Sequence, residues 1–318
     1  MSDSGAPVGA VPDSPAAVRP ARPQQPQLSH TSLPPPDPPL PDSPKPPAHG
    51  RAGRNLPAAI AVGLLLGAMV TVPLFTVRWV FALVVVAAVV LGTWEMVRSL
   101  AVGGVRAPYP PLAVGGAAMI GLAWWHGPAG LVLGLLLTAV AVALWRLAFG
   151  AAGYLRDVSA AVLVATYVGF LAGYCLLLAV PADGAVRVTI FVATVVCSDV
   201  GGYAAGVFFG RHPMAPTVSP KKSWEGAGGS ALACGVGGIL FLTFVFGGAW
   251  WQGLVYGLSV MVAATLGDLG ESAIKRDLGV KDMGTLLPGH GGIMDRLDSL
   301  LVAAPVAYLL LSAFIPPH

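Results

Sequence analysis

Charge is what this 318-residue chain has least of: Asp, Glu, Lys and Arg make up 10% of it, against the roughly 25% usual in a soluble domain. With 55% hydrophobic residues and a mean hydropathy of +0.75, that scarcity excludes a soluble globular protein and points to one that lives in lipid. Cysteine is scarce as well. Cys175, Cys197 and Cys234 all lie in apolar runs without CxxC or metal-type spacing, which argues against a disulfide framework and against a zinc site. The chain has no GxxxxGK[ST] loop and no GxGxxG after a strand, so a soluble nucleotide-binding fold is not supported. The weak ten-residue alternation of a lipid-facing β-barrel is also missing.

What is present falls into two parts. Residues 1–55 carry 15 of the 29 prolines, mixed with Ser, Gln and Ala, and hold no apolar run able to offset the entropy of ordering. This part reads as a disordered, proline-rich tail without the pattern of a cleaved signal peptide. Residues 56–318 divide into apolar runs long enough for a helix, rising ~1.5 Å per residue, to cross a ~30 Å hydrocarbon layer. The runs cover about 57–75, 79–97, 111–126, 128–145, 158–180, 186–209, 227–249, 252–274 and 293–315. The expected fold is therefore an all-α, polytopic membrane bundle of about nine helices. Its many Gly and Ala residues suit close helix packing, within one copy or in a homo-oligomer.

Lys and Arg test this threading independently, because cytoplasmic loops are enriched in them. With the tail inside and nine crossings, only Arg78 and Arg187 of the 18 basic residues fall outside. One crossing more or fewer would scatter them. The expected location is the cell's inner (plasma) membrane, with the tail and the polar blocks described next on the cytoplasmic side.

Acidic residues are expensive inside a membrane, about 2.5–3.5 kcal/mol each near the centre of a span, and they are not scattered here. Eight of the eleven outside the tail lie between 199 and 298: Asp199, Glu225, Asp268, Glu271, Asp277, Asp282, Asp295 and Asp298. Residues three or four apart share a helix face, so Asp268, Glu271 and Lys275 form one stripe, and Asp295 and Asp298 another. Two helices leaving and re-entering the inner surface could bring these carboxylates together around a cation. Oxygen donors without His or Cys favour a hard ion such as Mg²⁺. The plainer alternative is a set of interhelical ion pairs, Glu271 with Lys275 among them.

Between the stripes runs KRDLGVKDMGTLLPGHGG, whose glycines allow close backbone approach and which ends at a helix start suited to an anion. Lys275, Arg276 and Lys281 add positive charge there, and His290 reads as a hydrogen-bond donor to phosphate or as a proton carrier. A second polar block, SPKKSWEG at 219–226, brings Lys221 and Lys222 to the same side; Ser219 before Pro220 has the look of a helix N-cap. Metal-binding carboxylates, cations for phosphates and access from lipid together point to phosphoryl or nucleotidyl transfer onto a membrane substrate.

At these positions the chain resembles the phosphatidate cytidylyltransferases. The long motif of that family stands here as Ser272, Ile274, Lys275, Arg276, Lys281, Asp282, Gly284, Pro288, His290, Gly291, Gly292, Asp295, Arg296 and Asp298. GDLGE at 267–271, SPKKSWEG and SDVGGYAAG around Asp199 resemble it too, and the likeness is clearest over 198–299. The resemblance implies that CTP and phosphatidic acid give CDP-diacylglycerol and pyrophosphate, with Mg²⁺ and room for a second cation. It implies Asp268, Asp295 and Asp298 as metal ligands, with Lys275 and Arg296 beside them in the catalytic group. Ser219, Lys221, Lys222, Ser223, Glu225, Arg276, Lys281, Asp282, His290, Gly291, Gly292 and Asp199 are implied in substrate binding. Membrane lipids are expected partners and nucleic acid is not. The rival is a cation-coupled transporter using the intramembrane acids, which accounts for Asp199 but not for a basic, glycine-rich loop.

Overall fold

The structure, a computed structural model, describes residues 56–284, 286 and 291–316; of residues 56–64 and 66 it describes the backbone alone. The proline-rich tail, Pro288 and His290 lie outside the described residues. Lipid offers no hydrogen bonds to a bare backbone, so each apolar run closes its own ladder as a helix. In order these are α1 (Leu56–Thr76), α2 (Arg78–Val102), α3 (Tyr109–Leu147), α4 (Tyr154–Val164), α5 (Leu171–Ala179), α6 (Gly184–Phe209), α7 (Trp224–Phe246), α8 (Trp250–Asp277) and α9 (Met294–Phe314). A six-residue π segment, Ala165–Phe170, joins α4 to α5 into one rod. Seven helical rods are long and apolar enough to cross a membrane among the described residues, counting α4–α5 as one and leaving α1 aside.

Helix α3 accounts for two of the expected crossings. As a straight rod it would put Gly115 and Thr138 about 34 Å apart. Instead a Cβ placed on Gly115 would overlap the Thr138 side chain, and one on Gly134 would meet Met119. The helix therefore folds back on itself at Gly127 (φ 62°, ψ −145°), just ahead of Pro128. Gly127 adopts the positive φ that the reversal needs, and the HGP turn separates two antiparallel halves. With α1, the hairpin halves and the α4–α5 rod, the described helices match the nine expected runs.

Alternate loops segregate to two faces, as that threading requires. On the face with few cations, Arg78 donates to the carbonyls of Pro181 and Ala182 at 2.9 and 2.8 Å. There too the buried Arg187 pairs with Asp183 at 2.8 Å and donates to Ile315 O at 2.7 Å. On the opposite face Arg156 donates to Gly104 O at 2.7 Å, and the Arg106 N–H to Asp157 at 3.1 Å. Leu136, Leu144, Phe208, Leu232, Phe244, Leu266 and Leu309 are exposed along the helices, the side that lipid would cover.

Helices α6 to α9 pack through small residues. A Cβ on Gly229 would run into the backbone of Gly201, one on Gly257 into that of Cys234, and one on Gly267 into the carbonyl of Asp298. The last contact brings the C-terminal half of α8 and the start of α9 together, backbone against backbone. Two departures from the sequence reading occur nearby. Residues Pro213–Ala215 (β1) and Ser219–Ser223 (β2) form a small antiparallel hairpin instead of leading straight into a helix. Ser219 is thus in a strand, and the N-cap of α7 is Ser223, whose Oγ accepts from Gly226 N at 3.1 Å. Pro220 explains the shift: it biases the residue before it toward extended backbone, and the hairpin uses that preference.

Candidate active site

A cavity of about 380 Å³ opens on the lysine-rich face between α6, β2, α7, α8 and α9. It gathers residues from separate motifs: Asp199 from α6, Ser219, Lys221 and Lys222 from β2, Ser223 at the start of α7, and Asp268 from α8. The hairpin is what turns SPKKS toward the bundle. Alternation along β2 and the following helix start lets a serine and a lysine face the same space. Lys222 Nζ lies 2.5 Å from Asp268 Oδ2, and Ser272 Oγ donates to the other Asp268 oxygen at 3.3 Å. The first turn of α7 also borders the cavity through Ser223 and Gly226, adding the positive end of a helix dipole to the two lysines.

Behind Asp268 the charges continue as a chain. Asp298 on α9 stands beside Asp268 and against the Glu271 carboxyl, which is fully buried. Glu271 Oε2 accepts from Lys275 Nζ at 3.1 Å, and Lys275 reaches Asp295 Oδ1 at 2.9 Å. The Glu271–Lys275 ion pair weighed from the sequence is thus formed. Asp295 in turn accepts from Gly292 N at 2.8 Å and from Met283 N at 3.2 Å. Lys275 is the hinge between the two ends, since it touches carboxylates on both α8 and α9.

The three aspartates are therefore not equivalent. Asp268 lines the cavity and Asp298 stands behind it, its carboxyl set against that of the buried Glu271. Asp295 stands beyond Lys275, where it accepts from that lysine and from the N–H groups of Met283 and Gly292, whereas the donors to Asp268, at the cavity, are Lys222 and Ser272. Among the described residues no three carboxyl, His or Cys groups converge into a complete metal shell. Asp268 and Asp298, side by side, nonetheless offer the oxygen-only donors that suit a hard cation. Mg²⁺ usually takes one or two protein carboxylates and completes its shell with water and substrate phosphates.

Other expected site residues are placed elsewhere. Glu225 clasps the hairpin: its oxygens meet His212 Nδ1 at 2.6 Å and the N–H groups of Arg211 and His212 at 3.1 and 3.2 Å. Arg276 donates to Val218 O at 3.3 Å, tying α8 to the turn of the same hairpin. Lys281 and Asp282 are exposed in the loop after α8, while Gly291 takes the left-handed conformation (φ 81°) that lets the loop turn into α9.

Two residues that the sequence reading did not single out hold this loop and this cluster. Glu95, fully buried on α2, accepts from Met294 N at 2.9 Å, so the first amide of α9 is engaged by a carboxylate of the protein itself. A Cβ on Gly284 or Gly292 would collide with that carboxylate, so both motif glycines make room for Glu95. The sequence had expected glycines and a helix start open to a phosphate here. A lone acid in an apolar run was the available signal. Tyr167, in the π segment, sends its hydroxyl to Gly267 O at 3.4 Å and lies near Glu271, Asp298 and Asp268. Its placement depends on a π register that leaves no mark in the sequence.

Fold and site together define a polytopic helical membrane protein with a cavity, lined by two lysines and two aspartates, beside a row of carboxylates at one end of the bundle. The chain belongs to the Cytidylyltransferase family, whose sequence model matches residues 57–314. It is 43% identical to the phosphatidate cytidylyltransferase of Mycobacterium leprae over 279 residues, covering 82% of this chain and 89% of that protein. It is 44% identical to the protein of the same name from Mycobacterium bovis over 276 residues, 82% of this chain and 90% of the relative. A phosphatidate cytidylyltransferase of Brucella suis matches at 40% over 134 residues, 42% of this chain and 50% of its own length.

Proposed function

We propose that this protein transfers CMP from CTP to phosphatidic acid at the cytoplasmic face of the inner (plasma) membrane. The observation that carries the reading is the juxtaposition of Ser219, Lys221, Lys222 and Ser223 with Asp199 and Asp268 around one cavity at a membrane face. A space of about 380 Å³ that brings two lysines and two aspartates together suits a nucleoside triphosphate bound with a cation. It does not suit a conduction path, which needs no phosphate cradle.

In the reaction a phosphate oxygen of phosphatidic acid attacks the α-phosphorus of CTP. A new P–O bond forms as the bond between the α- and β-phosphates breaks, and pyrophosphate leaves with that electron pair. No general base is required, because a phosphate monoester is already largely ionised near neutral pH. Catalysis is then a matter of position and charge. Lys221 and Lys222 neutralise the triphosphate, Ser219 and Ser223 orient it, and the α7 amides face its negative charge. Arg276 and Glu225 keep the hairpin over the cavity. Lys275, held by Glu271 and Asp295, sets the spacing of α8 and α9. Asp268 and Asp298 would hold Mg²⁺, which when bound would neutralise charge on the phosphates. Asp295 serves that pair by fixing Lys275 and the loop.

The test uses the purified full chain in detergent with labelled CTP, phosphatidic acid and Mg²⁺. The expected result is labelled CDP-diacylglycerol with equimolar pyrophosphate, lost in Lys222→Met and Asp268→Asn variants that keep their thermal unfolding midpoints. A parent protein that makes no liponucleotide but moves cations in sealed vesicles would replace this reading with the transporter.

A further inference from the structure

Outside the reaction site, one cavity on the same membrane face concentrates charge in a chain that carries little. It is about 450 Å³, within the ~300–1,000 Å³ range of small-ligand pockets, and lies where the α2–α3 and α3–α4 loops meet. Arg106, Arg146 and Arg156 line it together with a single acid, Asp157, which leaves a net charge of +2.

These arginines are not alike. Arg146 and Asp157 form a buried frame: Nε bonds Asp157 Oδ2 at 2.9 Å, and the other guanidinium nitrogens donate to Gly150 O at 3.0 Å and Ala152 O at 2.5 Å. That set engages every nitrogen of the Arg146 guanidinium and, with the Arg106 N–H, satisfies Asp157. Arg106 gives this frame its backbone N–H, and its guanidinium has no hydrogen bond to it among the described residues. Arg156, 58% exposed, makes a long 3.4 Å contact to Asp157 and one bond to Gly104 O, which leaves Nη1 unused by either. Gly104 and Gly153 border the cavity with positive φ, and at Gly153 a Cβ would point among Arg156, Asp157 and Arg146. The cavity therefore offers two exposed guanidinium groups beside a buried Arg146–Asp157 base, an arrangement suited to a phosphate group.

The surroundings say which phosphate. Val102, Leu147, Phe149 and Leu155, in the same loops and helix ends, are 61–78% exposed. Water-facing loops around a site for a soluble anion would gain nothing from four bare apolar side chains. A phospholipid uses both features at once: its phosphate meets the arginines and its acyl chains cover the apolar rim. We infer that the cavity framed by Arg146 and Asp157 is a binding site for an anionic phospholipid of the inner leaflet, held through its phosphate by Arg106 and Arg156. The site is separate from the reaction cavity, and its existence does not depend on the reaction proposed above. It does adjoin the catalytic loop, since Gly103 of the α2–α3 loop packs against Leu278 directly after α8.

The test is lipid retention by the full chain, reconstituted in nanodiscs of equal phosphatidylglycerol and phosphatidylcholine and read by native mass spectrometry after release. The parent is expected to retain phosphatidylglycerol selectively. Arg106→Ala and Arg156→Ala should each weaken retention about fivefold, and the double variant about 25-fold, as expected for ~1 kcal/mol per cation at a membrane surface. Both substitutions leave the Arg146–Asp157 frame intact, so unfolding midpoints in pure phosphatidylcholine should match the parent and confirm folding. Equal retention by parent and double variant would overturn the site. Protection of the parent by inorganic phosphate in pure phosphatidylcholine, with no preference for phosphatidylglycerol, would overturn its assignment to a lipid.

Discussion

Replacing Asp295 by Asn changes one oxygen and one charge, yet it separates two accounts of the aspartates on α8 and α9. In the structure Asp295 accepts from Lys275 Nζ at 2.9 Å, from Gly292 N at 2.8 Å and from Met283 N at 3.2 Å. Hydrogen bonds to a charged group contribute roughly 1.5–3 kcal/mol each, and Asn can still accept through one oxygen. The substitution turns the other into a donor facing donors, so about 3 kcal/mol of local stabilisation is lost. If that loss falls wholly on the transition state, kcat/KM drops about 10²-fold. The informative measurement is the Mg²⁺ concentration for half-maximal CTP incorporation. Asp268→Asn and Asp298→Asn should raise it about tenfold or more, the usual cost of disturbing a metal site. Asp295→Asn should leave it within about twofold while lowering kcat, because the residue positions Lys275 and the loop. An Asp295→Asn enzyme whose Mg²⁺ requirement rises as far as that of Asp268→Asn would refute this division of labour.

The Glu95 contact and the outer clasp give further tests. Gly284→Ala pushes a methyl group into the Glu95 carboxylate, an overpacking that costs about 1–3 kcal/mol, and Glu95→Asp alone withdraws the acceptor from Met294 N. The double variant should recover at least ~1 kcal/mol relative to the sum of the two, read from thermal unfolding and CTP incorporation; strict additivity would show that the two do not meet. At the opposite face, Arg187→Met removes the partner of Asp183 and leaves Ile315 O without its donor, which should lower stability by about 2–3 kcal/mol with kcat unchanged in the folded fraction. An unfolding midpoint equal to the parent's would mean that this buried arginine contributes nothing to holding α6 against α9.

Much of the architecture was legible because lipid imposes a simple code. Hydrocarbon thickness fixes run length, and the unequal distribution of Lys and Arg fixes the parity of crossings. Even the α3 hairpin was readable, since Gly127 and Pro128 interrupt a run too long for a single crossing. The acidic stripes on α8 and α9 were legible for a similar reason: three- and four-residue spacing is local, and Glu271 and Lys275 pair just as that spacing implies. The SPKKS hairpin was not. Its extended form depends on where β1 lies, and a helix start is an equally good local use of Ser-Pro.

Composition and spacing thus determined that this chain is a nine-run helical membrane protein with its charges gathered at one face, because both properties are set by length and period along a single strand of sequence. Which carboxylate faces which cation was decided only in three dimensions. Lys275 joins Asp295 to Glu271 across twenty residues, and Glu95 reaches Met294 across nearly two hundred. Contacts of that kind depend on how rods pack, and packing here rests on close backbone approaches such as Gly267 against Asp298, which no local pattern encodes.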